Sequence, residues 1–417
     1  MSADPAPRLA SIRLTQREVD AICLRHERLL DAKPGGARAM FAWQDLSGLD
    51  LRGWNLRDAD FTGATLADCQ MQAARLDQAN FYGANLERAN MAEASLRRAD
   101  LRGACLRGAN LTAADMFEAD LREGTIVAVD ADKGLRVLEP TDPQGKMQRA
   151  VLAGANLMRS RMAGIVAVKA DFTDAILKDA HLVRANLKHA TLAGANLAGA
   201  DLSGADLAGA DMRDCVLVGV RKDAWNVNNA DMTGALNDPR PGGLPVARLE
   251  QMLREHALCC RSGGAEGVAA DFTGVDLRGL ETIRGFDLTA LIAKGAVLYG
   301  LDMEGVQLQG AHLEGADLRS CNLRRADLRG ARLAGARLSG SDLRDGVMGP
   351  LIIGPNRMLS CDLTGASLKH ADLSRADLRQ AILRRADLSH ANFTGALMHQ
   401  ADLADAVRED VCGLAGA

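Results

Sequence analysis

The chain has 417 residues, a formal net charge of −4 and only 3% aromatic residues. With an isoelectric point near 6.1, bulk charge forces neither nucleic-acid nor membrane-surface binding. No apolar run approaches the roughly 18–20 residues needed to cross a bilayer, so no membrane partner is expected.

Residues 1–14 lack the charged-then-apolar layout of a signal peptide. Residues 14–30 read as a helix. Thr15 and Glu18 have capping-box spacing, and Val19, Ile22, Cys23, His26, Leu29 and Leu30 form an apolar stripe. The pair Gly35-Gly36 closes this N-terminal segment, residues 1–36.

From position 37 a different period takes over. Between positions 41 and 126 every fifth residue is Leu, Met, Phe or Ile, at 18 positions without a break. Another 18, with Val now also allowed, run from 147 to 232, where only Ala167 and Lys222 depart, and 25 run from 283 to 403, where only Ala293 departs. If the central residue is i, position i−2 is Ala at 12 of 13 sites from Ala59 to Ala119, and Cys69 at the other. In extended backbone, i and i−2 share a face. One is large and one is tiny, so both fit a narrow common interior. Gly recurs at i+2 (Gly63, Gly83, Gly103, Gly199, Gly204, Gly330), where a chain turns a corner. A helix needs spacings of three and four, so a strict five argues against one. A corner every five residues predicts an all-β solenoid, a roughly square coil stacked by parallel ladder bonds. Cys69, Cys215, Cys321 and Cys361 fill the inward i−2 slot and are expected as small buried thiols. Nine cysteines without paired spacing point to a reducing, cytoplasmic home.

The period breaks at residues 127–146, which shift the register by one. Two apolar runs, 125–129 and 135–138, flank Asp130-Ala131-Asp132-Lys133-Gly134 and predict a β-hairpin inserted into the coil. Within 218–229, Lys222 takes a central slot and Trp225 lies beside it. Residues 237–243 are rich in Pro and Gly and read as a linker. A second helix is expected at 245–260, with the stripe Leu249, Met252, Leu253, His256, Cys259 and Cys260, which matches the first stripe at an offset of 230. Residues 45–53 and 271–279 are also near-identical. The chain therefore reads as two modules, 37–236 and 271–403, each preceded by a capping helix, with the linker and second helix over 237–270. At 346–358, Met348, Ile353 and Met358 keep the count, which predicts a distorted coil and not an excursion. The tail, 404–417, is short and weakly amphipathic, which makes the C-terminal end a candidate for self-association.

The quintet Ala-Asp/Asn-Leu-x-x is plain in Ala195-Asn196-Leu197-Ala198-Gly199-Ala200-Asp201-Leu202. It resembles the pentapeptide-repeat family over about three quarters of the chain. The resemblance implies a right-handed quadrilateral β-helix with four pentapeptides per coil. Some members of that family mimic duplex DNA and bind bacterial type II topoisomerases, the fluoroquinolone-resistance proteins among them. Such mimicry needs a long negative face. Residues 41–126 carry 13 Asp/Glu against 9 Lys/Arg, an excess of four.

Catalytic signatures are missing. There is no phosphate loop, dinucleotide fingerprint, zinc spacing or Gly-x-Ser-x-Gly, so no enzyme, cofactor or metal is expected. The many Asp and Asn at i−1 read as turn and face residues. His370 and His390, 20 apart, should stack on neighbouring coils with Asp410 next in the column. Arg324, Arg325, Arg344, Arg384 and Arg385 are expected on one face of the second solenoid, beside Asp302, Asp342, Asp362 and Asp402. A hairpin thrown out from a rigid ladder is a natural recognition element. The expected function is a non-catalytic scaffold binding a protein partner, without direct nucleic-acid contact. Its candidate contacts are Asp130, Asp132, Lys133, Arg136, Trp225, Arg324, Arg344 and Arg384. The alternative is a DNA-mimicking topoisomerase modulator.

Overall fold

Each quintet forms one side of a four-sided coil, an arrangement that pairs most of its backbone N–H groups. The computed structural model describes residues 12–124, 126–130, 134–138, 146–239, 242–355 and 357–414, with backbone alone over 126–130 and 134–138. The quintet at Phe61 is representative. Ala59 N–H closes the corner onto the Leu56 carbonyl at 3.1 Å. Asp60 N–H reaches back to Ala39 at 3.0 Å, while Phe61 and Gly63 reach forward to Asn80 (2.7 Å) and Tyr82 (2.9 Å). The fifth donor, Thr62 N–H, goes to the Asp60 side chain at 3.0 Å. An Asp or Asn at i−1 is therefore a structural ligand for its own turn. The same bond recurs at Asn80, Asp171, Asp201, Asp327 and Asn392.

Parallel bridges join i−1 residues 20 apart, as in Asp60, Asn80, Asp100 and Asp120. The i and i−2 side chains enclose one dry column, in which Leu202, Ala205, Leu207 and their equivalents are fully buried. Phe41, Phe61 and Phe81 stack at 5.0 and 4.7 Å. Cys69, Cys215, Cys321 and Cys361 are all buried and free, and burial pushes the Cys69 thiol up to about 11 and Cys321 to about 12. Position i+2 takes positive φ whether or not it is glycine: Asp58 has φ 59°, Gln78 59° and Gly63 62°. At Gly63 glycine is required for a second reason, since a Cβ there would lie 2.4 Å from the Trp43 ring.

The chain forms two compact units, Met1–Asp238 and Pro239–Ala417. Helix α1 (Gln16–Leu30) begins at a complete Thr15/Glu18 capping box and buries Val19, Cys23 and His26. Helix α2 (Val246–Arg261) buries Leu249, Leu253, His256 and Ala257. The two buried histidines do the same job in each unit. His26 Nε2 lies 2.8 Å from the Arg57 carbonyl, and its Nδ1 accepts from Ala39 N–H at 3.1 Å. His256 Nε2 lies 3.2 Å from the Thr289 carbonyl, and its Nδ1 accepts from Ala270 N–H at 3.0 Å. Each ring thus ties a helix to the edge of a coil, in the neutral tautomer that carries hydrogen on Nε2.

Two hairpins leave the coils. Strands β1 (Ile126–Asp130) and β2 (Gly134–Leu138) pair antiparallel. The ladder resumes beyond them with Asn110 bridging Val151, 41 residues away, so 21 residues are looped out. Strands β3 (Leu351–Gly354) and β4 (Arg357–Leu359) form the second hairpin. Here Arg332 bridges Asp362, 30 residues away, so ten residues are looped out. This corrects the sequence expectation of a distorted coil. Ile353 and Met358 are not central residues; they are 44% and 56% exposed. Ten residues are two quintets, so the excursion leaves the five-residue count unchanged.

Two outcomes follow from this geometry. Burial lowers the pKa of both clasp histidines below the usual 6.5. The unfolded chain then binds protons first, so their contribution is complete above pH 6.5 and is lost as pH falls through that value toward the depressed folded one. This window lies above that of the aspartates, whose ordinary value is 3.8. Urea midpoints measured between pH 7.5 and 5 (about one unit either side of the histidine window) should fall in the parent and run flatter in the His26→Gln, His256→Gln variant. Excising residues 350–359 should join Gly349 to Ser360 and leave an unbroken pentapeptide, changing stability by no more than about 1 kcal/mol in a denaturant titration. A loss of several kcal/mol would mean that the hairpin belongs to the coil.

Candidate interaction surfaces

The first hairpin is built on a strict antiparallel register, Ile126 opposite Leu138 through Asp130 opposite Gly134. Asp130 ends β1, and Arg136 stands mid-strand in β2 opposite Ala128. Asp132 and Lys133 lie outside the described residues.

Trp225 is placed differently from a surface contact. It fills an i−2 slot, the inward position usually held by Ala, in the last coil of its unit and is half-buried against that core. The Lys222 ammonium lies 5.8 Å from its ring centroid. An indole where a methyl normally sits fills the wider space left when no further coil stacks on it.

The basic face of the second unit is divided by the ten-residue excursion. Arg324 and Arg344 share a column, which continues to Ser374 because Asp342 bridges Asp372. Arg384 instead follows Thr364, since Asp362 bridges Ile382. Half a coil separates the two columns, so Arg384 and Arg385 stand on the side opposite Arg324, Arg325 and Arg344. The expected single face is corrected accordingly, and the aspartates divide likewise, Asp302 and Asp342 on one side, Asp362 and Asp402 on the other. Arg344 is held by Asp342 at 2.6 Å and Asp372 at 3.7 Å, and Arg384 is paired with Asp402. Asp-Leu-Arg and Asp-Met-Arg sequences fold the guanidinium back onto the aspartate, as in Asp50–Arg52, Asp211–Arg213 and the nearly buried Asp317–Arg319, each at 2.6 Å. The arginine hydrogen bond holds the Asp50 and Asp211 carboxyls below their usual range.

His370 and His390 stack, with ring centroids 4.8 Å apart, and His390 Nδ1 lies 3.7 Å from Asp410. Among the described residues no group of three or more His, Cys, Asp or Glu is placed to hold a metal. No helix among them is long and apolar enough to cross a membrane. An open polar groove is lined by Glu118, Arg159, Arg161, Asp179, His181 and Gly199. Its cations are neutralised, Arg159 by Glu118 at 3.0 Å and Arg161 by Asp120 at 3.5 Å.

Two features escaped the sequence. The second hairpin presents Ile352, Ile353, Met358 and Leu359 to solvent, Ile352 at 75%; the pairs Gly349-Pro350 and Gly354-Pro355 were its signal. The other is the sorting of charge by face. Sequence counting pooled all four sides of the coil. The bridges place Asp50, Glu93, Asp171, Asp174, Asp211, Asp214 and Asp231 along one side of the first unit, where the only cations among the described residues are Arg52 and Arg213, each forked onto its own aspartate.

Comparison with known proteins agrees with this architecture. The sequence model described as "Pentapeptide repeats" matches in 8 copies over residues 39–78, 79–116, 94–124, 180–219, 307–345 and 361–406, just over half of the chain. No curated protein matches. Among solved structures, HetL of the cyanobacterium Nostoc sp. strain PCC 7120, a pentapeptide repeat protein involved in heterocyst differentiation regulation, is 24% identical over 93% of this chain and 95% of its own, with a TM-score of 0.20. QnrB1, a plasmid-mediated fluoroquinolone resistance protein, is 19% identical over 48% of this chain and 91% of its own, with a TM-score of 0.26. A pentapeptide repeat protein of the Arabidopsis thaliana thylakoid lumen is 27% identical over 27% of this chain and 68% of its own, with a TM-score of 0.15. The quintet, the four-sided ladder and the family match lead to one conclusion: this chain belongs to the pentapeptide-repeat family, whose fold is the right-handed quadrilateral β-helix.

Proposed function

We propose that the chain is a non-catalytic scaffold that presents rigid β-helix faces and the β1–β2 hairpin to a partner protein. One observation carries this reading. The ladder closes cleanly beneath the hairpin, with Leu106 N–H donating to Lys146 at 2.6 Å and Asn110 bridging Val151. The coil gains nothing from 21 extra residues, yet the chain bears the entropy of ordering a paired hairpin. A pre-organised surface loses little entropy on binding, which is what a recognition element requires. Asp130, Asp132, Lys133 and Arg136 are the contacts assigned to it, with Arg324, Arg344 and Arg384 assigned to the coil faces and Trp225 to the half-buried edge of the last coil of the first unit. In this reading the modules 37–236 and 271–403 are the working parts, and α1 and α2 are caps; the histidine clasps support that role. Exposed Leu397 and Val407 in the last coil support self-association through the C-terminal end. The free cysteines are in keeping with a cytoplasmic location. The test is recovery of partners from the native host with the parent chain and with a chain lacking residues 125–145, a deletion that leaves the flanking quintets continuous. The parent should retain a protein that the deleted chain loses. Identical recovery would remove the hairpin from the proposal.

A second reading is favoured by the acidic side of the first unit: a DNA-mimicking modulator of a bacterial type II topoisomerase. A long face whose few cations are internally paired is what imitation of a phosphate backbone needs. In a gyrase supercoiling assay, micromolar chain should then change activity or drug sensitivity, and Asp171→Asn, Asp211→Asn, Asp231→Asn should abolish the change.

A further inference from the structure

The side of the first unit adjoining the acidic one carries a cationic patch. Its rows are joined by Leu106 N–H to Lys146, Met147 N–H to Val166, and the Val166–Asn186–Asp206 bridges. Lys146, Arg149, Lys169, Lys188 and His189 occupy three consecutive rows, and no acidic residue stands at a surface position of those rows. Arg149, Lys169, Lys188 and His189 are exposed. Lys188 is paired with Asp206 of the next row at 3.0 Å. Several arginines of the chain, Arg52, Arg102 and Arg329 among them, fold back onto an aspartate two residues earlier, whereas none of these cations has an aspartate at that position.

We infer that this face is a docking surface for an acidic, extended polypeptide segment that also carries aliphatic side chains. The charge calls for an anionic partner. The apolar part follows from Val166 and Val168, half-buried at surface positions in the middle of the cationic rows. An acidic strand with alternating aliphatic residues matches both features. Single-stranded nucleic acid matches less well, because its recognition relies on aromatic platforms, and this side presents no Phe, Tyr or Trp. With rows about 4.8 Å apart, the three rows span about 10–14 Å, which about four extended residues cover. The surface lies outside the hairpin, so it adds a second contact to the scaffold and is tested separately from it.

Fluorescence anisotropy with a labelled peptide of about eight residues alternating Glu and Val is the experiment. The parent chain should bind it, more weakly as salt rises. Arg149→Glu, Lys169→Glu, Lys188→Glu should weaken binding about tenfold or more, and the matching Gln variant should weaken it less. These side chains project from the coil, and an unchanged circular dichroism melt confirms that each variant folds. The chain lacking residues 125–145 should bind as the parent does, which separates this outcome from that of the hairpin. Absence of binding, equal binding by the Glu variant, or equal affinity for a single-stranded oligonucleotide of matched charge would overturn the assignment.

Discussion

The structure depends on a ladder that pairs most of the backbone donors of each quintet. Three of the five N–H groups in the Phe61 quintet bond to neighbouring coils, one closes a corner and one is met by the Asp60 carboxylate. An unpaired buried amide costs about as much as a lost hydrogen bond. The i−1 residue is therefore as much a part of the fold as the buried leucine, although it looks like surface. The ladder also fixes which side chains meet, since each residue sees its counterpart one coil away and little else. Stacked phenylalanines, stacked histidines and ladders of asparagine are all results of that one constraint.

Most of the coil was legible in the sequence because its interior is one-dimensional. A large residue at i and a small one at i−2 define the column, as Leu202 and Ala200 do, and no long-range pairing has to be guessed. The helix boundaries were equally readable, since Thr15 and Glu18 announce one start and Pro245 the other. What could not be read was any feature that respects the period while leaving the coil. Ile353 and Met358 keep step with Met348, and only their exposure distinguishes them. That error carried over to the arginines. Arg384 was grouped with Arg344 by counting twenties across a segment the ladder skips. His26 and His256 were read as members of apolar stripes, which they are, but periodicity carries no sign that their ring nitrogens join two backbone groups.

The candidate surfaces show the same division. Sequence composition gave a mild acidic excess and no more. Once the chain is wound, that mild excess separates into a side with almost only carboxylates and a neighbouring side with a patch of almost only cations. Screening over roughly 8–10 Å at physiological salt keeps two such sides distinct to an approaching partner. A solenoid thus displays several different fields on one small body, something a net charge cannot report.

The fixed interval between paired residues has a kinetic meaning as well. A bridge joins positions 20 apart, such as Asn186 and Asp206, whether the solenoid is short or long. Contact separation does not grow with chain length, so ring closure costs about the same for each added turn. During synthesis every new coil finds its template already made and needs nothing that has yet to emerge from the ribosome. A protein of this kind can lengthen by adding coils without becoming harder to fold.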